Sequence, residues 1–135
     1  MIVVDTNVIA YLWLPCRETP LSERLLASDD EWCAPLLWRS EFRNVLTGFM
    51  RRGVIAIESA RRTAADAEAQ MREREYAVPS SLVLDAAATS ACSAYDCEFV
   101  VLARQLGVPL VTADRRVIKE FPVEARSIAE YAKAT

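Results

Sequence analysis

Four carboxylates occupy positions where a carboxylate is costly. Asp5 directly follows the apolar run Ile2-Val3-Val4, and Asp114 closes the run Val108-Pro109-Leu110-Val111-Thr112-Ala113. If both runs are strands of an open parallel sheet, both acids stand at carboxyl ends, where α/β folds place their ligands. Glu41 lies three residues after Trp38 and four before Val45, so on a helix it points with the apolar stripe. Asp96 repeats the anomaly, with Phe99, Val100 and Ala103 on its face. A buried carboxylate must be paired, protonated or metal-bound. Taken singly, each has an ordinary explanation, as a helix cap or as the partner of an arginine. One shared site explains all four at once.

The chain contains no histidine, which removes Ser-His-Asp and Cys-His chemistry and His-based zinc sites together. Carboxylates without His or Cys partners suit a hard cation, Mg²⁺ or Mn²⁺, typically held by one or two carboxylates plus water and substrate phosphate. Such an ion polarises a phosphoryl oxygen, activates a water and stabilises the leaving oxygen, which is phosphodiester hydrolysis. A net charge of −3 is unusual for a chain that holds nucleic acid by bulk electrostatics, but not for one whose negative charge is concentrated in a metal site. Positive charge comes from 14 Arg and 2 Lys. Arg favours bidentate phosphate contacts, although a coding bias toward Arg accounts for it equally well.

The elements that must position these acids follow from apolar spacing. Ile2-Val3-Val4 reads as a buried strand. Thr6 is a candidate cap for a helix over residues 7–14, stopped by Pro15, with a second short helix over 20–28. Residues 32–34 suit a short strand closed by Pro35. Trp38, Phe42, Val45, Leu46 and Phe49 mark an amphipathic helix over 36–52, which Gly53 ends. Further helices are expected over 57–74, from Ser80 or Ser81 to 93, and over 96–107. Residues 76–78 read as extended, 108–112 as a strand, and 125–127 as an edge strand before a short C-terminal helix. Without repeats or linkers, this is one domain over residues 1–135. Alternating strands and helices predict an α/β sandwich with a mainly parallel sheet.

The motifs Asp5-Thr6-Asn7, Trp38-Arg39-Ser40-Glu41-Phe42-Arg43-Asn44-Val45-Leu46, Ser93-Ala94-Tyr95-Asp96 with Glu98-Phe99, and Leu110-Val111-Thr112-Ala113-Asp114-Arg115-Arg116 together resemble the PIN domain. More narrowly they resemble the VapC toxins of bacterial type II toxin–antitoxin systems. The likeness runs from Ile2 to about Phe121. It implies a three-layer α/β/α fold and a Mg²⁺- or Mn²⁺-dependent endoribonuclease. By resemblance, Asp5, Glu41, Asp96 and Asp114 are the catalytic and metal-binding acids, and Asn7 and Thr112 support them by hydrogen bonding. The resemblance also implies a homodimer, held inactive by a cognate antitoxin whose tail covers the site. One departure is Arg116, where some PIN domains carry a further acid. It argues against a second fully occupied metal site and makes Arg115 and Arg116 candidates for RNA phosphates instead.

Other classes fit less well. Phosphatases of the haloacid-dehalogenase type need a second Asp two residues after the first, and Asn7 cannot move a proton there. Receiver domains need an acidic pair after the first strand and a Lys after the last, and this chain has Thr6 and no such Lys. The rival of a different class is a catalytically silent PIN-like module that binds RNA or protein. Loss of one acid would have favoured it, and all four are present. Nothing approaches an apolar membrane span, and the first residues lack the basic start of a signal peptide, so the expected compartment is the cytoplasm. Cys16, Cys33, Cys92 and Cys97 form no C-x-x-C pair and are expected to be reduced thiols. Trp13, Trp32 and Trp38 are expected in the core, and Arg51-Arg52 and Arg61-Arg62 at solvated helix ends.

Overall fold

The computed structural model describes residues 1–134. Its centre is β1 (Ile2–Val4), whose three side chains are fully buried, so the strand reads as an unbroken apolar run. Parallel neighbours flank it: β2 (Trp32–Pro35) on one side and β4 (Leu110–Thr112) on the other. The short β3 (Glu75–Tyr76) and β5 (Ala125–Ser127) complete a five-stranded sheet of order β3-β2-β1-β4-β5, in which every pairing is parallel. The chain thus winds outward from β1 in one direction through β2 and β3, then in the other through β4 and β5. The switch point falls between β1 and β4, where such sheets open a crevice at their carboxyl ends.

Helices α1 (Thr6–Trp13), α2 (Thr19–Ser28), α3 (Leu37–Arg51), α4 (Ile57–Met71) and α8 (Ile128–Ala134) form one packed group. A separate pair, α5 (Ser80–Ala88) and α6 (Ala94–Leu106), covers β1, β2 and β4 through α6. The three-layer α/β/α expectation is met. Trp38 and Phe42 on α3 are both buried, with ring centroids 5.7 Å apart. At the β3 edge, Arg39 grips Glu75 with two hydrogen bonds of 2.6 and 2.7 Å, and the Trp38 indole N–H donates to the same carboxylate at 2.8 Å. Glu75 therefore fastens α3 to the sheet edge.

Several boundaries depart from expectation. The cap of α1 is Asp5, whose side chain accepts from the Thr6 N–H; Thr6 is the first helical residue. Helix α4 stops at Met71, three residues early. The extended segment pairs at Glu75–Tyr76 rather than over 76–78. Helix α5 ends at Ala88, well before residue 93, because Thr89 and Ser90 turn their hydroxyls back onto carbonyls of its last turn. Ser93 then caps α6, which begins two residues before Asp96. The late strand is confined to Leu110–Thr112. A six-residue helix not anticipated, α7 (Arg115–Glu120), follows it. Trp13 is half-buried, with its indole N–H donating to Gln70 Oε1 at 2.7 Å, whereas Trp32 and Trp38 are fully buried. No helix among the described residues is long and apolar enough to cross a membrane.

Candidate active site

Asp5, Glu41, Asp96 and Asp114 come from four separated segments and line one open cleft of about 340 Å³ at the carboxyl ends of β1 and β4. Asp5 ends β1 and caps α1; Asp114 follows β4 and caps α7, accepting from the N–H groups of Arg116 at 2.8 Å and Val117 at 3.3 Å. The two aspartates are thus caps and cleft residues at once. Asp96 lies in the first turn of α6. Three of the four acids therefore sit at helix N-termini, where the positive end of each helix offsets part of their charge. Glu41 comes instead from within α3, beside the buried Trp38 and Phe42.

Hydroxyl groups hold the carboxylates in place. Thr112, fully buried at the end of β4, donates to Asp5 Oδ2 at 2.7 Å and accepts from the Asp114 N–H at 3.0 Å. Thr6 donates its backbone N–H to Asp5 Oδ1 at 2.8 Å and its hydroxyl to Glu41 Oε1 at 2.7 Å. Asn7 Oδ1 accepts from the Ala113 N–H at 3.2 Å, tying the turn after β4 to α1. Asn7 and Thr112 thus sit where a supporting role needs them. Thr6, read in the sequence only as a cap, and Asn44, which lines the cleft one helical turn after Glu41, are additions. Arg115 and Arg116 are exposed on the first turn of α7, outside the cleft lining, and neither guanidinium is ion-paired among the described residues.

The electrostatics are those of a site short of positive charge. Burial raises the Asp5 carboxyl to about 6 from an ordinary 3.8; the Thr112 and Thr6 hydrogen bonds pull it back only in part, and the charges of Glu41 and Asp96 push it further. Glu41 is raised in the same way, first by burial and then by Asp96 and Glu98, against the Thr6 hydrogen bond. Glu98, half-buried on α6, is raised by burial alone. By contrast, burial lifts the Cys92 thiol to about 11, which keeps it an inert hydrophobe. Cys33 and Cys97 are likewise buried free thiols, and Cys16 is free and exposed.

The lining offers oxygen donors and no basic side chain, the donor set of a hard cation. Each Asp5 oxygen already accepts one hydrogen bond and keeps a further lone-pair direction. Among the described residues, no three Cys, Asp or Glu side chains gather tightly enough to enclose one ion. The cleft therefore fits a hydrated Mg²⁺ or Mn²⁺ touching one or two carboxylates, with water completing its shell, and does not fit an all-carboxylate cage.

A family model for the PIN domain matches residues 2–123, and the chain belongs to that family. Among named relatives it is similar to Ribonuclease VapC3 of Pyrobaculum aerophilum, 27% identical over 124 residues that cover 90% of this chain and 95% of the relative. Its fold is similar to the crystal structure of PAE2754 from Pyrobaculum aerophilum, with a TM-score of 0.78 at 19% identity over 98% of this chain and 94% of that one. It also resembles a chain of a toxin–antitoxin complex from Klebsiella pneumoniae, with a TM-score of 0.69 at 13% identity over 95% and 98% of the two chains.

Proposed function

We propose that this chain is a Mg²⁺- or Mn²⁺-dependent endoribonuclease and the toxin of a VapBC-type toxin–antitoxin pair. The observation that carries the reading is the meeting of Asp5, Glu41, Asp96 and Asp114 in one cleft at the switch point of the sheet. The likeness to a relative named Ribonuclease VapC3 supports it. In this reading those four residues hold the ion, one or two by direct contact and the others through its water ligands. When bound, the ion supplies positive charge against the phosphoryl oxygens and acidifies a water ligand. Thr112 and Thr6 fix the orientation of Asp5 and Glu41. In the same reading Arg115 and Arg116, exposed on α7 and without an ion pair among the described residues, contact RNA phosphates beside the cleft. Cleavage of a structured RNA with Mn²⁺, compared with EDTA, tests the enzyme. Asp96→Asn should lose roughly 100-fold or more in rate, as removal of a group that stabilises transition-state charge does. Equal rates for parent and variant at saturating metal would sink the site assignment.

The partner follows from the same charge deficit. A cognate antitoxin that lays an Arg or Lys side chain into the cleft would neutralise the acids and exclude a cation without any change of fold. Likeness to a chain from a toxin–antitoxin complex supports that partner. Expression of the chain alone should arrest growth, and co-expression with the adjacent reading frame should restore it. Harmless high-level expression of the folded chain would count against the toxin reading. A homodimer is part of the reading: Leu84 and Tyr95, exposed on α5 and α6, offer apolar surface for it. Sedimentation of the purified chain measures the mass directly.

A further inference from the structure

Beside the acidic cleft lies a second depression of about 270 Å³ that the proposed chemistry leaves unused. It runs between α1 and α3 and shares Asn7 and Val45 with the cleft, so the two are continuous. Its walls are mostly apolar: Ala10, Tyr11 and Leu14 from α1 face Val45 and Phe49 from α3. The Tyr11 and Phe49 side chains are only partly buried against the core. At the Phe49 end, the guanidinium carbon of Arg52 stands 4.9 Å from the ring centroid. The Arg51-Arg52 pair of the sequence thus places one cation at the outer end of a groove whose inner end opens on four carboxylates. The rim carries one acid, Glu18, which faces Arg17 at 3.5 Å. Asn7 uses its carbonyl oxygen to accept from the Ala113 N–H, and its amide NH₂ has no partner among the described residues.

We infer that this groove binds one unstacked nucleobase of the RNA strand, next to the phosphate being cut. The inference rests on the ribonuclease reading. The charge pattern selects the occupant: a basic peptide laid along the groove would suit the acidic end and be repelled by Arg52. A nucleotide suits both ends, with a neutral base between the apolar walls, one phosphate at the cation-binding cleft and the next at Arg52. The volume suits a single flat ring system; pockets for whole drug-sized ligands begin at about 300 Å³. Aromatic rings beside a base-sized slot are the usual means of holding unpaired RNA, and they tolerate sequence because every base has a π face. The Asn7 NH₂ is a donor for an acceptor on the base edge.

The test uses an oligoribonucleotide that the parent protein cleaves with Mn²⁺, remade with an abasic ribose at each position within a few nucleotides of the cut. One position should lower kcat/KM on the order of 10- to 100-fold, the loss of one stacked base. Phe49→Leu and Tyr11→Leu keep apolar bulk while removing a ring. Each should weaken cleavage of the intact substrate and show little further penalty from the abasic position. A parent with no position-specific penalty overturns the inference, as do variants that both retain the full penalty, which would leave the groove to a polypeptide. A second measurement needs no cleavage: 2-aminopurine scanned through the same positions should be quenched at one of them on binding Asp96→Asn, and binding without quenching at any position overturns the proposal. Failure of the ribonuclease reading looks different, because the parent then cuts no RNA whatever its bases.

Discussion

The Thr112 hydroxyl donates to Asp5 Oδ2 at 2.7 Å across 107 residues of sequence. The Thr112 Oγ1 in turn accepts the Asp114 N–H, so one buried hydroxyl at the end of β4 ties together two of the four acids. Thr112→Val keeps the shape and removes the link. Asp5 loses a donor to its charged form and the Asp114 N–H loses an acceptor, at a cost of about 1–3 kcal/mol. Urea unfolding at pH 8 should show that loss. At pH 5, where Asp5 is largely protonated, the loss should shrink. Thr112→Ser should recover most of the stability, and a valine variant as stable as the parent would remove the hydroxyl from any supporting role.

Thr6 plays the corresponding part for Glu41, through a hydroxyl bond of 2.7 Å. Thr6→Val should reduce RNA cleavage on the order of 10-fold, the usual consequence of removing a group that orients a metal-binding carboxylate. Thr6→Ser should retain most of the activity. Rates for both are compared at saturating Mn²⁺, so that weakened metal binding and weakened chemistry separate. Equal loss in both variants would point to packing of the threonine methyl rather than to its hydroxyl.

The raised Asp5 carboxyl, about 6 against 3.8, sets a pH dependence of stability in EDTA. Between these values the native chain keeps a proton that the unfolded chain releases. Stability from this group is therefore present at low pH and is lost as pH rises toward 6, by about 3 kcal/mol at most. Glu41 adds in the same direction. Asp5→Asn should abolish that component and be more stable than the parent above pH 6. Unfolding curves for the pair from pH 4 to 8 isolate it from the paired acids elsewhere, such as Glu75, which act oppositely. A parent and variant with parallel pH profiles would refute the shift.

Gly107 supplies a control away from the cleft. It ends α6 with φ of 67°, and an added Cβ would meet no atom within 4 Å, so only backbone strain opposes a side chain. Gly107→Ala should cost about 1–2 kcal/mol, the left-handed penalty of an L-residue. Its activity at a permissive temperature should match the parent. Thermal melts and initial rates on one preparation check both halves.

Much of this arrangement is legible in the residues, for physical reasons that also mark its limits. The β1 and β4 runs stand out because they are buried on both faces, and an acid directly after such a run is conspicuous. Glu41 and Asp96 are visible because helical spacing sets them beside apolar side chains. Helix α7 is not visible: six residues with a single buried side chain, Val117, carry no period to read. The end of α5 is masked by alanines whose propensity would continue a helix past Ala88. The Thr6–Glu41 bond depends on how α1 and α3 pack, and strand order depends on long-range pairing. Neither is written in local spacing.

The last prediction separates a working site from a set of structural ion pairs. Asp5 is destabilised first by burial and only second by the charges of Glu41 and Asp96, so relief of repulsion alone should be modest. Asp96→Asn removes a charge that raises both Asp5 and Glu41 and breaks no side-chain ion pair among the described residues. It should therefore melt at a slightly higher temperature than the parent in EDTA, a gain on the order of 1 kcal/mol from one like-charge contact near the surface. Mg²⁺ or Mn²⁺ should raise the parent's Tm with concentration, because a ligand that binds only the native state stabilises it by mass action. The variant should gain less from the same addition, since one of the proposed ion-binding carboxylates is gone. Acids that served the fold would behave in the opposite way: neutralising one would strand its buried partner, at about 3–5 kcal/mol. Melts of parent and Asp96→Asn across a metal titration decide the matter. A variant that melts well below the parent in EDTA, with neither protein responding to metal, would assign these carboxylates to structure and remove the proposed chemistry from the cleft.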